Sequence, residues 1–473
     1  MANETQSGLE KVLSKRETLV LAFGAMIGWG WIILSGTWID QAGPLGAIAA
    51  FVIGGVMVGV VATIYGELAS AMPFVGGEHV YSLRALGSTG SFVCTWAIVF
   101  GYVAVAAFEA VALPSALAYI IPGFNAIELW TVAGEPVYGT WVLVGIAGTI
   151  VITYLNYLGI RPAAQFQAIL TIVIALAGVV LATGAVTSGQ SSPDPAFTAG
   201  IAGVFSVVLM TPFMFVGFDV IPQSAEEADI PPRTLGILIV VAVSLAAVFY
   251  IAVIWGASRA LPGAALVDSP LPAAAALAAL FDSVLVGRIM AVAGVAGILT
   301  SWNAFIIGGS RALFALSESG MLPEWLSRVH PEHKTPANAL MLVGAAAALA
   351  PLFGEGMLTW VVNAGGFGIV VAWFLVVVSF LVLRFREPEM DRPYNVPAGR
   401  IVGVVALGLT GLFILLYLPG GPSALGWPYE WGIVFAWSAL GVVLYAFSGD
   451  SSGGTESMES DMMDPSESLK SED

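Results

Sequence analysis

Charged side chains are scarce in this sequence. Asp, Glu, Lys and Arg make up 10% of its 473 residues, against roughly 25% in a soluble domain, and that excludes a water-soluble globule. Cysteine is nearly absent: Cys94 stands alone, which excludes a disulfide framework and a thiolate metal cluster. The three histidines, His79, His330 and His333, fall in expected loops. His330 and His333 would supply half a metal site, but no third ligand is in view, and solvated loop histidines are the simpler reading. There is no Walker motif, no HExxH and no nucleophile elbow, so neither enzyme activity nor an organic cofactor is expected.

Apolar residues dominate instead, at 58% of the chain with a mean hydropathy of +0.90. Runs of roughly 17–25 apolar residues cross a bilayer as helices. They predict an all-α integral membrane protein with twelve transmembrane helices, near 18–37, 45–71, 90–121, 139–158, 163–187, 200–223, 235–260, 284–317, 336–353, 356–384, 401–419 and 429–447. The third and eighth are long, which implies tilt or extension beyond the bilayer. Basic residues gather on the cytoplasmic side. With an even count both termini share a side, which then carries Lys11, Lys15, Arg16, Arg84, Arg161, Arg233, Arg311, Arg328, Lys334, Arg384, Arg386, Arg392, Arg400 and Lys470; only Arg259 and Arg288 fall opposite. Both termini are therefore expected in the cytoplasm of a plasma-membrane protein.

The connections have character too. The polar start, 1–17, shows no cleavable signal peptide. Residues 73–87 read as a short amphipathic helix lying on the cytoplasmic face, and Leu261–Phe281 as a short capping helix outside. The tail, 448–473, is rich in Ser, Gly, Asp, Glu and Met and is expected to be a disordered acidic segment. The net charge of −16 sits in loops and tail, an acidic surface that suits a high-salt habitat.

One stretch organises the rest. Leu19–Gly36, LVLAFGAMIGWGWIILSG, is apolar enough for a bilayer yet carries Gly24, Gly28 and Gly30 in its middle. Glycine in a helix interior costs about 1 kcal/mol against alanine. In hydrocarbon, freed backbone groups are tolerated only where they line a cavity or bind something. The stretch predicts a broken transmembrane helix whose unwound middle holds a solute. A second break falls in Thr211–Asp219, TPFMFVGFD, where Pro212 removes a backbone donor and Gly217 weakens the helix.

The breaks lie in spans one and six, the separation expected if helices 1–5 (18–187) and 6–10 (200–384) are inverted repeats, with helices 11 and 12 at 401–447. Free N–H groups at the start of a half-helix attract a carboxylate, and free C=O groups at the end of one attract an ammonium. Together they suit a zwitterionic amino acid. Glycines serving close helix packing are the alternative, and the reading preferred for Gly55 and Gly59. Among ionisable residues within spans, Glu67 reads as a gate, a ligand or a packing contact, Glu109 as a structural hydrogen-bonding group, and Asp219, closing the second break, as the sharpest functional candidate. Snorkelling explains Arg311. Asn363, Gly365 and Gly366 read as a packing notch rather than a gate.

These stretches resemble the amino acid–polyamine–organocation permeases, in particular their bacterial and archaeal amino acid permeases. GAMIGWG is similar to that family's glycine-rich motif, with Trp29 where a small residue is usual. YGELASAMPFVGGEHVYSLRALG, PFMFVGFDVIPQSAEEADIPPR and SRALFALSESGMLPEWLSRVHPEHKTPANAL resemble its second-span, sixth-span and eighth-span signatures, in family order from about residue 18 to 384.

The resemblance implies a LeuT-like, five-plus-five inverted-repeat core with two extra helices, importing a small-molecule substrate by alternating access. It implies that a substrate carboxylate meets N–H groups around Gly28, Trp29 and Gly30. The amino group would meet carbonyls near Met26, Phe213, Met214 and Val216, on either side of Gly217. Phe215 and Phe218 would be pocket wall or gate, and Asp219 an acid tied to proton sensing. Some proton-coupled members carry a span-five lysine in place of sodium; here the matching position is Ile174. Thr300 and Ser301 instead offer hydroxyls of the kind that ligate sodium, although such a pair bonded to its own helix is commonplace. Sodium symport, proton symport and exchange all stay open. A polyamine or organic-amine carrier, favoured by Glu109 near the pocket, and a non-transporting solute sensor are the alternatives. Besides solute and lipid bilayer no partner is expected, nucleic acid included.

Overall fold

The computed structural model describes residues 7–190, 194–421 and 424–448; the acidic tail lies outside the described residues, apart from Ser448. The chain enters through a strap, 7–14, that ends in a capping box: Ser14 accepts from the Glu17 N–H, and the Glu17 side chain accepts from the Ser14 N–H. Helix α1 (Lys15–Met26) follows, then α2 (Gly30–Ala42), bent from it by 50°. Next come α3 (Pro44–Ala71) and α4 (Glu78–Ile120), a hairpin of β1 (Glu128–Val132) and β2 (Glu135–Tyr138), α5 (Gly139–Tyr157) and α6 (Ile160–Thr187). The second half holds α7 (Gly200–Val208), α8 (Thr211–Phe215), α9 (Val220–Gln223), α10 (Pro232–Ser258), α11 (Gly263–Val267), α12 (Pro272–Leu280), α13 (Val284–Glu318), α14 (Ala337–Ala348) and α15 (Met357–Arg386), with α16 (Gly399–Tyr417) and α17 (Tyr429–Phe447) at the end.

Among the described residues nine helices are long and apolar enough to cross a membrane, and the bent pair α1–α2 makes a tenth. The stretches 200–223 and 336–353, expected as full spans, are instead a chain of short helices, α7 to α9, and a shorter apolar helix extended by a 3₁₀ turn. The expected all-α class gains a two-stranded sheet. Ala133 and Gly134 both have positive φ at its tip, the geometry that a two-residue hairpin turn requires. The one capping helix expected over Leu261–Phe281 is two, α11 and α12.

Small residues set how closely the helices approach. A methyl group built on Gly365 of α15 would lie 2.4 Å from the Ala104 side chain of α4, so the Asn363–Gly366 region is a packing notch. Gly55 packs near Ala247, but Gly59 has open space beside it, so the packing role expected of it fails. Outward faces remain apolar, as with Ile169 and Leu176 on α6, which suits lipid contact.

The face bearing Lys15, Arg84, Arg311, Arg384 and Arg392, called here the basic face, is closed by buried polar contacts. Residues 73–87 do not form a helix lying on it: 78–83 are buried, and after them only Arg84, and Leu86 onward, come partly to the surface. The segment runs into α4 through a bend at Gly87 (φ +73°) and is packed between α9 and α13, Gly77 abutting Pro222 and Gly76 abutting Ala315. His79, expected in a solvated loop, is fully buried and bonded to Ser319 Oγ at 2.6 Å and Ser91 Oγ at 2.9 Å. Arg311 does not snorkel. It is buried and donates twice, at 2.9 Å each, to the Glu227 carboxylate. Glu67 accepts from Arg384, and from Arg392 at 2.9 Å, a packing role rather than a ligand's. His330 and His333 stack on one another, and Tyr157 packs edge-on against His330 and tilted against His333; among the described residues no group of three His, Cys, Asp or Glu could hold a metal ion.

Candidate functional site

The first break falls at residues 27–29. Gly24 is not part of it: α1 stays helical to Met26, and Gly24 serves close contact with Gln167 and Thr171 of α6. Ile174 lies one turn further along α6, buried. Helix α2 restarts at Gly30 with no side-chain cap; the Ile32 N–H bonds to Trp29 O at 3.1 Å, which leaves the Gly30 and Trp31 N–H groups without an intrahelical partner. The second break falls at Val216–Asp219, where Val216 is extended and Gly217 has φ +126°, a conformation open to glycine. Pro212 sits in the first turn of α8, where its missing donor matters least.

The two breaks touch. A methyl group built on Gly217 would lie 2.7 Å from the Ala25 Cβ and 2.9 Å from the Met26 nitrogen, so only a glycine lets the second break press against the end of α1. Two side chains hold this arrangement. Asp219 Oδ1 accepts from the Gly217 N–H at 3.1 Å, and its Oδ2 accepts from the Trp373 indole N–H on α15 at 3.0 Å. Tyr250 of α10 places its hydroxyl 2.7 Å from Met26 O and 2.9 Å from Met214 O, one donor shared by the carbonyls of both breaks. Sequence reasoning missed Tyr250; a lone phenol in the aliphatic run VFYIAVIW was the available signal.

Between the breaks lies a cavity of about 20 Å³, room for about one water molecule, so the site is contracted. Of the residues expected at the site it brings together Met26, Gly28, Trp29, Gly30, Glu109, Phe213, Met214, Val216 and Ser301. It leaves out Phe215, Gly217, Phe218, Asp219 and Thr300. Phe215 packs on Phe51 and Tyr250, and Phe218 on Tyr65 and Trp373, so neither aromatic is pocket wall here. Phe215 still belongs to α8, next to the cavity-lining Met214, while Phe218 follows the turn at Val216–Gly217. Trp29 does both things a tryptophan could do there: it lines the cavity, and its ring lies over Gly294 of α13.

Glu109 is 1% exposed. A methyl group on Gly28 would come within 2.8 Å of its Oε1 and 3.1 Å of Ser301 Oγ, and its Oε2 has no hydrogen-bond partner among the described residues. The structural hydrogen bond expected of Glu109 thus occupies at most one oxygen. Met26 O and Met214 O, expected to face an ammonium, face the Tyr250 hydroxyl. The Ile27 and Gly28 carbonyls abut Gly297 of α13, whose own carbonyl accepts from Thr300 Oγ1 at 3.0 Å.

Comparison with known proteins places the chain in a family. Residues 13–444 match the family model for amino acid permeases. The chain is 28% identical to the branched-chain amino acid permease BcaP of Bacillus subtilis over 452 residues, 94% of either chain. It is 26% identical to the methylthioribose transporter of the same organism over 451 residues, again 94% of each. The vacuolar cationic amino acid transporter 4 of Arabidopsis thaliana is 27% identical over 401 residues, 82% of this chain and 65% of that one.

Proposed function

The chain belongs to the amino acid permease family, and we propose that it is a secondary active transporter importing an amino acid across the plasma membrane. In this reading α1–α2, α7–α9 and α14 with its 3₁₀ extension each count as one span, restoring twelve, with both termini cytoplasmic and two inverted five-helix repeats rocking between alternately open states. The observation that carries the reading is the contracted cavity where the two breaks meet.

A substrate carboxylate fits the uncapped start of α2, where N–H groups and the helix dipole favour an anion. The ammonium fits Glu109 Oε2, because Tyr250 already serves two of the carbonyls first expected for it. Ala25, Val105, Phe108, Phe213 and Phe305 leave an apolar volume for the side chain. A second reading, a cationic amino acid or polyamine, is favoured by the same unpartnered carboxylate, which would pair with a side-chain cation.

For coupling, sodium suits the hard oxygens gathered at α13: Ile27 O, Gly28 O, Ser301 Oγ and the lone pairs that Thr300 Oγ1 keeps while donating to Gly297 O. Proton symport and exchange are the competing modes. Uptake and counterflow of radiolabelled leucine and arginine into proteoliposomes, with imposed sodium or proton gradients, test all of this. Sodium-driven leucine accumulation is the expected result; accumulation that ignores sodium and follows a proton gradient removes the Thr300/Ser301 proposal. Absence of counterflow with every standard amino acid removes the transport reading.

A further inference from the structure

Beyond the second break, toward the basic face, lies a cluster of buried polar side chains that does not line the cavity. Glu78 at the start of α4 and Gln223 at the end of α9 are both fully buried, and the Gln223 amide N–H donates to Glu78 Oε2. The other oxygen of each partner, Glu78 Oε1 and Gln223 Oε1, has no hydrogen-bond partner among the described residues. The titratable groups facing Glu78 are Asp219 across the break, Tyr65 on α3, and Tyr81, Cys94 and Tyr102 on α4; none is a cation. His79 is turned to its two serines. The neighbouring basic groups are committed elsewhere, Arg311 to Glu227, Arg84 to Glu387, and Arg384 and Arg392 to Glu67.

An ionised carboxylate offers only acceptors, as does the amide oxygen. With Glu78 ionised, the donors close to these two acceptors are the Tyr65 and Tyr102 hydroxyls, neither of which makes a hydrogen bond of good geometry, and a second buried carboxylate, Asp219, stands nearby with the same sign. One proton resolves the pair. A carboxylic acid and a primary amide are complementary, N–H to C=O on one side and O–H to C=O on the other.

We propose that Glu78 and Gln223 form an acid–amide pair holding one exchangeable proton on Glu78 Oε1, donated to Gln223 Oε1. The proton comes from and returns to water on the basic face, and the only bond made or broken is that O–H. Since Gln223 closes the segment after the break and Glu78 opens the helix before span three, the proton ties two elements that must separate if the basic face is to open. Glu78 lies ahead of the Gly87 bend, outside the span, and burial together with the Asp219 charge holds its carboxyl well above the usual carboxylate range. The site stands whether solute moves with sodium, with protons or by exchange.

The test uses the purified full chain and no transport assay, so failure of the transport reading leaves it intact. Glu78→Gln mimics the protonated acid, its amide donating to Gln223 Oε1. A group whose folded pKa is raised holds a proton that the unfolded chain has lost, so its contribution to stability falls as pH rises between the two pKa values. The wild type should lose thermal stability with rising pH along a one-proton slope that E78Q lacks. Near neutral pH the infrared carbonyl band of a protonated carboxyl should vanish in E78Q. An E78Q protein less stable than wild type, with a parallel pH dependence and no missing band, overturns the proposal. Gln223→Leu, which keeps Glu78, decides between the same two outcomes if E78Q does not fold: the band shifts to that of an unbonded acid, or it does not move and the proposal falls.

Discussion

The Arg311–Glu227 pair is the firmest place to test how the basic face is held shut. Arg311 and Glu227 side chains are 1% and 0% exposed, and two N–H donors meet two carboxylate oxygens at 2.9 Å each. The Glu227 backbone carbonyl in turn accepts from the Val12 and Leu13 N–H groups at 2.9 and 2.8 Å, so the pair also anchors the N-terminal strap. Arg311→Met keeps much of the stem and removes the guanidinium, leaving a carboxylate buried without a counter-charge. Breaking a buried pair this way costs about 3–5 kcal/mol, or roughly two to four powers of ten in the equilibrium between closed and locally open forms. Replacing both partners, R311M with E227Q, leaves no uncompensated charge and should restore most of the loss. Hydrogen exchange at the Val12 and Leu13 amides, with thermal unfolding alongside, reads the effect: R311M accelerates exchange by orders of magnitude and the double variant largely reverses it. If single and double variants exchange alike, the two side chains are not coupled and the assignment of closure to this pair is wrong.

Three further substitutions test the cavity. Gly28→Ala puts a methyl group 2.8 Å from Glu109 Oε1; the chain should fold with its thermal midpoint nearly unchanged while the apparent Kd for an amino acid, read by ligand-induced thermal shift, rises about tenfold or more. Tyr250→Phe strips two buried carbonyls of their shared donor and should cost about 1–3 kcal/mol, so an unchanged midpoint would refute its bridging role. Trp29→Ser enlarges the cavity and uncovers Gly294 together; a thermal-shift screen of the standard amino acids should show a broader set of binders on a protein less stable by about 3–5 kcal/mol, the usual range for removing a buried aromatic.

Both breaks were legible in the sequence because glycine and proline change the backbone locally, and a run apolar enough for a bilayer makes such residues conspicuous. Even so, Gly24 and Gly28 look alike in the sequence and differ in the structure: one is a contact with Gln167 and Thr171, the other opens the helix toward Glu109. Contacts between distant positions were not legible. Tyr250 reaches Met26 across 224 residues, and Arg311 meets Glu227 from another helix, so its burial could not be foreseen from its place near a span's end. His79 and Glu78 fall in a segment with the charge and glycine of a surface loop, and only the insertion of that segment between α9 and α13 buries them. Phe215 and Phe218 were placed in the pocket by likeness, but each packs on aromatics of other helices, Phe51 and Tyr250 for the one, Tyr65 and Trp373 for the other.

An unwound helix frees backbone groups, and each has to be met. At the second break Asp219 meets the Gly217 N–H. Tyr250 meets Met26 O from the first break and Met214 O from the second. Asp219 and Tyr250 therefore act as the framework that makes the breaks tolerable in an apolar surrounding, and Asp219 does so from outside the cavity. Left over at the cavity are the uncapped start of α2 and the Glu109 carboxylate, whose Oε2 has no partner among the described residues, with the Ile27 and Gly28 carbonyls set against Gly297. The first two set donors for an anion beside an acceptor for a cation. That pairing describes the two ends of an α-amino acid better than it describes a simple cation or a neutral sugar, and it is why Glu109, rather than Asp219, is the carboxylate whose replacement by Gln should first alter which solute is bound.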